Sequence, residues 1–242
     1  MSAGMSTTRR SIRSICPMPD RRLVIFDVDG TLVDSRAHLW ATFQAMFEGI
    51  GHPLPPQERV ISLTGLSLEK IIPILLPEAD AETRTKALAL YRSAYREGRL
   101  RLGDAATSPF FPGAREVLER LRSDPGTALA VATGKSRRGI DGLIEAHGLE
   151  GMFDSIQCAD NHPSKPDPSM IVAALAETGV ASARAVMVGD TSFDMKMARA
   201  ASVRGVGVCW GFHPVERLAA DAILRHFDEL PNVIDQLIGP NL

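Results

Sequence analysis

The sequence has no long apolar run and no large excess of charge of either sign. No segment approaches the roughly 18 apolar residues that a membrane-spanning helix requires. The chain has 27 Lys and Arg against 29 Asp and Glu, a net charge of -2, which leaves no large basic face for nucleic acid. We therefore expect neither a membrane nor a nucleic acid as a partner, and we expect a small substrate.

Cysteine is also scarce. The three cysteines, Cys16, Cys158 and Cys209, form no CxxC pair and show no spacing typical of a zinc site. Their odd number argues against a framework of disulfide bonds. We therefore expect a reducing compartment and a cytoplasmic protein.

The rest of the composition is typical of a globular protein. The chain has 242 residues, of which 45% are hydrophobic and 23% charged, enough for one α/β domain and a smaller second unit. Residues 1–18 are rich in arginine and serine, as transit peptides are, but they lack a clear amphipathic period. We interpret them as a flexible N-terminal extension outside the fold.

The strongest signal is an apolar run that ends in two carboxylates. Residues 23–26 read Leu-Val-Ile-Phe, and Asp27, Val28, Asp29 and Gly30 follow them. A continuous apolar run predicts a strand buried in a parallel sheet, and acids fit only at its carboxyl end, where α/β sheets bind their ligands. Asp27 and Asp29 therefore mark a site.

Three later segments add polar groups that complement these acids. They are Thr133 and Gly134 after the apolar residues 128–132, Lys165 within a Ser-Lys-Pro-Asp-Pro segment, and Asp190 and Asp194 after the apolar residues 186–188. Like charges raise each other's pKa unless a cation lies between them. Four aspartates against one lysine therefore call for a metal ion.

In this order the four segments resemble the signature motifs of the haloacid dehalogenase superfamily. Residues 32–35, Leu-Val-Asp-Ser, extend the likeness toward its phosphoglycolate-phosphatase-like branch. The resemblance implies an α/β fold, with a doubly wound parallel sheet in a Rossmann-like core and an inserted all-helical cap. We expect the catalytic core over residues 19–34 and 112–242 and the cap over residues 35–111.

The resemblance also implies catalytic roles. Asp27 would attack phosphorus, and Asp29 would protonate the leaving group and then deprotonate the hydrolytic water. Lys165 would neutralise the nucleophile and the transferring phosphoryl group. The Thr133 hydroxyl and the backbone N–H groups from Gly134 onward would bind the phosphoryl oxygens.

Hard oxygen ligands and a phosphate substrate favour Mg²⁺ as the metal. The resemblance implies that Asp27 and Asp190 bind it through their side chains and Asp29 through its backbone carbonyl. Asp194 would orient the lysine or a metal-bound water, although in some relatives it approaches the metal directly. As an acid near a helix N-terminus, Asp194 also has a purely structural interpretation.

The predicted cap contains several helical patterns, including one over residues 81–96. The turn Thr64–Ser67, centred on Gly65, is a candidate substrate-facing loop, because a glycine turn can bring backbone groups close to a ligand. An ordinary connection between helices explains this turn equally well. Asp34–Arg36 and Thr107–Pro112 would be the two hinge strands.

Other charged residues near the motifs give weaker signals. Lys135, Arg137 and Arg138 follow Thr133 closely and could contact a substrate acid or the closing cap. Cations at the start of a helix usually face solvent, and we favour that interpretation. His213 shows no metal-binding spacing, and we interpret it as a surface or packing residue.

These patterns predict a Mg²⁺-dependent phosphatase, a phosphoric monoester hydrolase that forms an aspartyl-phosphate on Asp27. Its substrate would be a small phosphorylated metabolite: a phosphoglycolate-like ester, a sugar phosphate or a nucleotide. A phosphomutase of the β-phosphoglucomutase type is the alternative, because it shares all four motifs and the helical cap. We expect a monomer or a homodimer.

Overall fold

The computed structural model describes residues 21–241, so the extension expected at residues 1–18 lies outside the described residues. One parallel sheet of six strands has the order β3-β2-β1-β4-β5-β6. The strands are β1 Arg22–Phe26, β2 Thr127–Thr133, β3 Ser155–Cys158, β4 Ala185–Gly189, β5 Arg204–Val208 and β6 Ala222–Leu224. The chain winds outward from the central β1 in both directions, which confirms the predicted doubly wound sheet.

Helices cover both faces of this sheet, so its strands are apolar on both sides. Val24 and Phe26 of β1 pack into one apolar cluster, whereas Leu23 and Ile25 pack into the other. The first cluster includes residues of α6 Ala114–Arg122, α7 Arg137–His147 and α10 Leu230–Ile238, and the second includes residues of α8 Ser169–Thr178 and α9 Ser192–Ala200. This double burial explains why the strands read as unbroken apolar runs.

Five helices lie between β1 and α6, and we call this segment, residues 36–107, the helical insert. They are α1 Arg36–Ile50, α2 Gln57–Ile61, α3 Leu68–Leu75, α4 Ala81–Leu102 and α5 Asp104–Thr107. The insert has its own apolar cluster, which includes Phe43, Phe47 and Ile72. No helix within residues 21–241, the long α4 included, is long and apolar enough to cross a membrane.

Helix α4 runs to Leu102, beyond the predicted end at Arg96. The glycine that interrupts its pattern, Gly98, packs against the His38 ring, where a Cβ would lie 2.5 Å from Cε1. Gly98 therefore permits close packing of α4 on α1 and does not end the helix. Gly103 follows the last helical residue.

The two ends of the insert lie side by side. Val33 and Phe110 form a single antiparallel bridge, and the Asp34 N–H donates to the Pro109 carbonyl at 2.8 Å. The predicted hinge strands Asp34–Arg36 and Thr107–Pro112 are wrong in extent, because Arg36 already begins α1 and Thr107 ends α5. The connection between insert and sheet is thus narrower than the sequence indicated.

Candidate active site

Three buried aspartates meet at the carboxyl ends of β1 and β4. Asp27 follows β1 and Asp190 follows β4, and the two strands pair directly in the sheet. Asp194, in the first turn of α9, completes the group, in which one carboxylate oxygen of each residue lies within 4.8 Å of the others. This spacing suits a single small cation.

Both carboxylate oxygens of Asp190 accept hydrogen bonds, whereas one oxygen of Asp27 accepts none. Asp190 Oδ1 accepts a hydrogen bond from Thr31 Oγ1 at 3.0 Å, and its Oδ2 accepts one from the Phe212 N–H at 2.7 Å. Asp27 Oδ2, in contrast, is buried and has no hydrogen-bond partner. A buried carboxylate oxygen without a donor is costly unless a ligand or cation satisfies it, so these oxygens fit Mg²⁺.

Lys165 lies between two of these acids. Its fully buried Nζ donates to Asp27 Oδ1 and to Asp194 Oδ1, both at 2.7 Å. Asp194 Oδ2 in turn accepts from the N–H and the hydroxyl of Thr191, in a capping box at the start of α9. Asp194 therefore caps its helix and holds Lys165 with separate oxygens, so both interpretations of this residue apply to its geometry.

The electrostatics of the cluster show that it lacks positive charge. Burial, together with the charges of Asp194 and Asp29, raises the pKa of Asp27 to about 7 despite the attraction of Lys165. Burial and the charges of Asp27 and Asp194 raise the pKa of Asp190 well above its usual range. Burial alone would lower the pKa of Lys165, but the attraction of Asp194 and Asp27 raises it. A divalent cation would favour the ionised carboxylates.

Asp29 is not part of this cluster, and its side chain has other partners. Its Oδ1 accepts a hydrogen bond from Ser35 Oγ and pairs with Lys135 Nζ at 2.9 Å. No described residue donates to its Oδ2. Asp29 thus has one carboxylate oxygen held by two partners and one that accepts no hydrogen bond from a described residue.

Thr133 ends β2, where it is buried and accepts a hydrogen bond at Oγ1 from the Lys135 N–H at 3.2 Å. The next residue, Gly134, lies under the turn Thr64–Ser67 of the helical insert, because a Cβ on Gly134 would lie 3.0 Å from the Gly65 carbonyl oxygen. The Ser67 N–H also donates to Ser164 Oγ at 2.8 Å. The turn therefore contacts both the Thr133 and the Lys165 segments.

Gly65 itself has a φ of +101°, and a Cβ there would lie 3.2 Å from Thr191 Oγ1. A large side chain at this position would strain the backbone and displace the capping box that holds Asp194. Substitution of Gly65 would therefore disturb the core machinery as well as the insert. Contacts of the insert are better probed at other residues.

A cavity of about 1290 Å³ lies between the insert and the sheet. Its walls include Asp27, Asp29, Gly65, Tyr95, Gly134 and Lys135. Asp27, Asp29 and the turns at Gly65 and Gly134 thus line one chamber, which is large enough for a small metabolite.

Two residues, Lys135 and His213, make contacts with the helical insert that their sequence patterns did not indicate. Lys135 is buried against Asp29 and contacts Tyr95 of α4, so its interpretation as a solvent-facing cation is wrong, whereas Arg137 and Arg138 are exposed. His213 Nδ1 accepts from the Ser192 N–H at 3.1 Å, which leaves Nε2 to donate to the Ser62 carbonyl at 2.8 Å.

His213 therefore joins α9 to the helical insert. Its packing interpretation was correct but incomplete, and no local signal around it indicates the contact with the insert. For Lys135, the one available signal was its position two residues after Thr133, at the end of a core strand.

Comparisons with known proteins agree with this geometry. The family model described as haloacid dehalogenase-like hydrolase matches residues 24–208. The probable phosphatase IndB of Dickeya dadantii is 37% identical over 222 residues, covering 89% of this chain and 94% of that protein. A phosphoglycolate phosphatase of Caulobacter vibrioides is 32% identical over 222 residues, covering 89% and 91%.

A solved structure is also similar. A haloacid dehalogenase-like family hydrolase of Streptococcus pneumoniae superposes with a TM-score of 0.76 at 26% identity, covering 89% of this chain and 99% of that chain.

Proposed function

Because the chain belongs to the haloacid dehalogenase-like hydrolase family, we propose that it is a phosphatase that hydrolyses a small phosphorylated metabolite through a covalent intermediate on Asp27. The observation that carries this proposal is the pair of oxygens on Asp27. One is held by Lys165, the other is buried without a donor, and Asp27 lines the chamber. A carboxylate oxygen held in this way is suited to attack phosphorus.

The first step is a displacement at phosphorus. An oxygen of Asp27 forms the new bond to phosphorus as the bond to the ester oxygen breaks. Asp29 gives its proton to the departing oxygen and becomes a carboxylate. The Lys165 ammonium, the Thr133 hydroxyl and the backbone from Gly134 onward compensate the charge on the phosphoryl oxygens.

The second step releases the phosphate. The Asp29 carboxylate takes a proton from a water molecule as the water oxygen attacks phosphorus, and the bond between phosphorus and Asp27 breaks. Asp29 regains its proton, so each turnover restores the starting state. One carboxylate thus forms and breaks the covalent bond, and its neighbour moves the proton.

The residues also fit a bound Mg²⁺. The side chains of Asp27 and Asp190 and the backbone carbonyl of Asp29 would hold it, with Asp194 in support. When bound, the ion would neutralise negative charge on the nucleophile and on the phosphate. The raised pKa values of Asp27 and Asp190 support this assignment.

The proposal includes the helical insert as a cap that selects the leaving group. Residues 19–34 and 112–242 would then form the catalytic core and residues 35–111 the cap, with the Thr64–Ser67 turn facing the substrate. The contacts of this turn with Gly134 and Ser164 support the assignment. Phosphoglycolate phosphatases among the relatives favour an ester of that size, but the chamber also accommodates sugar phosphates and nucleotides.

The free thiols of Cys158 and Cys209 support a cytoplasmic location.

A panel of phosphate esters tests the proposed function. With Mg²⁺ the protein should release inorganic phosphate, and EDTA should abolish the release until Mg²⁺ is restored. Asp27→Asn should lower turnover by about a thousandfold or more, because an amide is a poor nucleophile. Asp228→Asn makes the same change of charge at an exposed position and should leave turnover unchanged.

Two outcomes would overturn the proposal. Substantial phosphate release by folded Asp27→Asn would remove the nucleophile assignment. Conversion of a hexose monophosphate into its isomer without free phosphate would make the protein a phosphomutase.

A further inference from the structure

Lys135 joins the helical insert to the proposed acid, Asp29. Its ammonium group pairs with Asp29 Oδ1 at 2.9 Å and donates a hydrogen bond to the Tyr95 hydroxyl at 2.8 Å. Asp29 belongs to the turn after β1, Lys135 to the loop after β2, and Tyr95 to α4. Three segments that are distant in sequence thus meet at one ammonium group.

The position of Lys135 is fixed at its backbone as well as at its side chain. Its N–H donates to Thr133 Oγ1 at 3.2 Å, and its carbonyl accepts from the Ala159 N–H at 3.0 Å. The side chain is 6% exposed, and its Nζ lies 5.4 Å from the centre of the Tyr95 ring. The ring therefore shields the pair between Lys135 and Asp29 from water, which strengthens their attraction.

This arrangement decides which oxygen of Asp29 can act. Ser35 and Lys135 both bind Oδ1, which leaves Oδ2 as the oxygen that can carry the proton. When Asp29 gives up its proton, negative charge develops on the carboxylate beside the Lys135 ammonium. A fixed positive charge at that point stabilises the transition state of proton donation.

We propose that Tyr95 is a positioning residue for proton donation, which holds Lys135 against Asp29 and so makes a fully effective acid depend on a residue of the helical insert. The inference rests on the proposed function, because it assumes that Asp29 protonates the leaving group. Tyr95 supplies an oxygen to the ammonium group, and it does so only while α4 lies over the sheet. The substrate esters affected are those whose leaving group needs a proton.

The test compares two esters in five variants. Glycerol 2-phosphate has an alkoxide leaving group that needs a proton, whereas p-nitrophenyl phosphate has one that leaves without it. Tyr95→Phe removes only the hydroxyl and should lower kcat on glycerol 2-phosphate about tenfold, the usual effect of losing a hydrogen bond to a charged group. Its kcat on p-nitrophenyl phosphate should change by less than about twofold.

The control and the double variant isolate the route of the effect. Thr85→Val removes a hydroxyl from an exposed position on α4, where it donates to the Ala81 carbonyl, and it should alter neither kcat. Lys135→Gln should show the same selective loss as Tyr95→Phe or a larger one. Because Tyr95 acts through Lys135, the double variant should be no slower than Lys135→Gln alone.

Three results would overturn the inference: equal losses by Tyr95→Phe on both esters, no loss on either, or additive losses in the double variant. Thermal melting of each variant separates these results from misfolding, since Tyr95→Phe should melt within a few degrees of the wild type. Asp29→Asn separates them from failure of the proposed function. If Asp29→Asn loses both esters equally, the acid assignment fails; if it loses glycerol 2-phosphate selectively and Tyr95→Phe does not, only the inference fails.

Discussion

A single methyl group at Gly30 should weaken metal binding without changing any charge. Gly30 has a φ of +84°, and a Cβ there would lie 2.6 Å from the Phe212 ring and closer still to Asp190 Oδ2. To restore ordinary contact, the Asp190 carboxylate must move by about 1 Å, whereas functional sites tolerate displacements of about 0.5 Å. Gly30→Ala should therefore weaken Mg²⁺ binding by about tenfold or more, which corresponds to about 1.4 kcal/mol.

Gly51→Ala is a matched control for backbone strain. Gly51 also has a positive φ, +69°, but a Cβ there would meet no atom within 4 Å. The strain of a side chain in this conformation is about 1–2 kcal/mol, and Gly51→Ala should lose that much stability and keep its activity. Gly30→Ala should lose a similar amount of stability from backbone strain and a further amount from the clash with Asp190 and Phe212.

Calorimetric titration measures the affinity of each variant for Mg²⁺, and urea unfolding in EDTA measures its stability. Both variants should be compared with the wild type in the same buffer. If Gly30→Ala binds Mg²⁺ as tightly as Gly51→Ala, then Asp190 is not the metal ligand that we propose. The assignment of the metal ligands would have to change.

Two further predictions concern pH and the insert. In metal-free protein, the pKa of Asp27 is raised from 3.8 to about 7, so its contribution to stability is present below pH 3.8 and is lost as the pH rises through about 7. The unfolding free energy of the wild type relative to Asp27→Asn, measured in urea melts, should therefore fall over this range. A difference that does not vary with pH would contradict the raised pKa of Asp27. Ser164→Ala removes the hydrogen bond from the Ser67 N–H, worth about 1 kcal/mol, and should raise KM for alkyl esters about fivefold while kcat on p-nitrophenyl phosphate stays unchanged. The control Ser123→Ala breaks a local hydrogen bond to the Arg120 carbonyl and should change neither constant. A lower kcat for Ser164→Ala on both kinds of ester would argue against a role confined to the insert.

The acids of the site could be predicted because their positions follow from local patterns. An apolar strand followed by an acid is visible in the sequence at both Asp27 and Asp190. The order of the strands in the sheet is not visible, yet it is the direct pairing of β1 with β4 that brings these two residues together. The family resemblance supplied this missing step.

The role of Lys135 could not be predicted from its neighbours. The nearby Arg137 and Arg138 are exposed, as cations at a helix start usually are. The same sequence pattern therefore predicted an exposed Lys135. Its burial depends on Tyr95, which approaches from the insert and has no sequence pattern that points to Lys135. The same holds for His213 and the Ser62 carbonyl. Contacts between insert and core depend on tertiary packing, which single-sequence patterns do not encode.

The narrow base of the helical insert has an evolutionary consequence. Because Val33 and Phe110 are bridged and Asp34 bonds to Pro109, the chain leaves and re-enters the core at nearly the same point, with β1 on one side and α6 on the other. An insert that begins and ends at one point can be lengthened, shortened or exchanged without altering the register of any strand, and longer loops add little closure entropy. On the proposed role of the insert as a cap, new leaving-group preferences would arise by variation within residues 36–107, while the strand ends that carry the aspartates stay as they are.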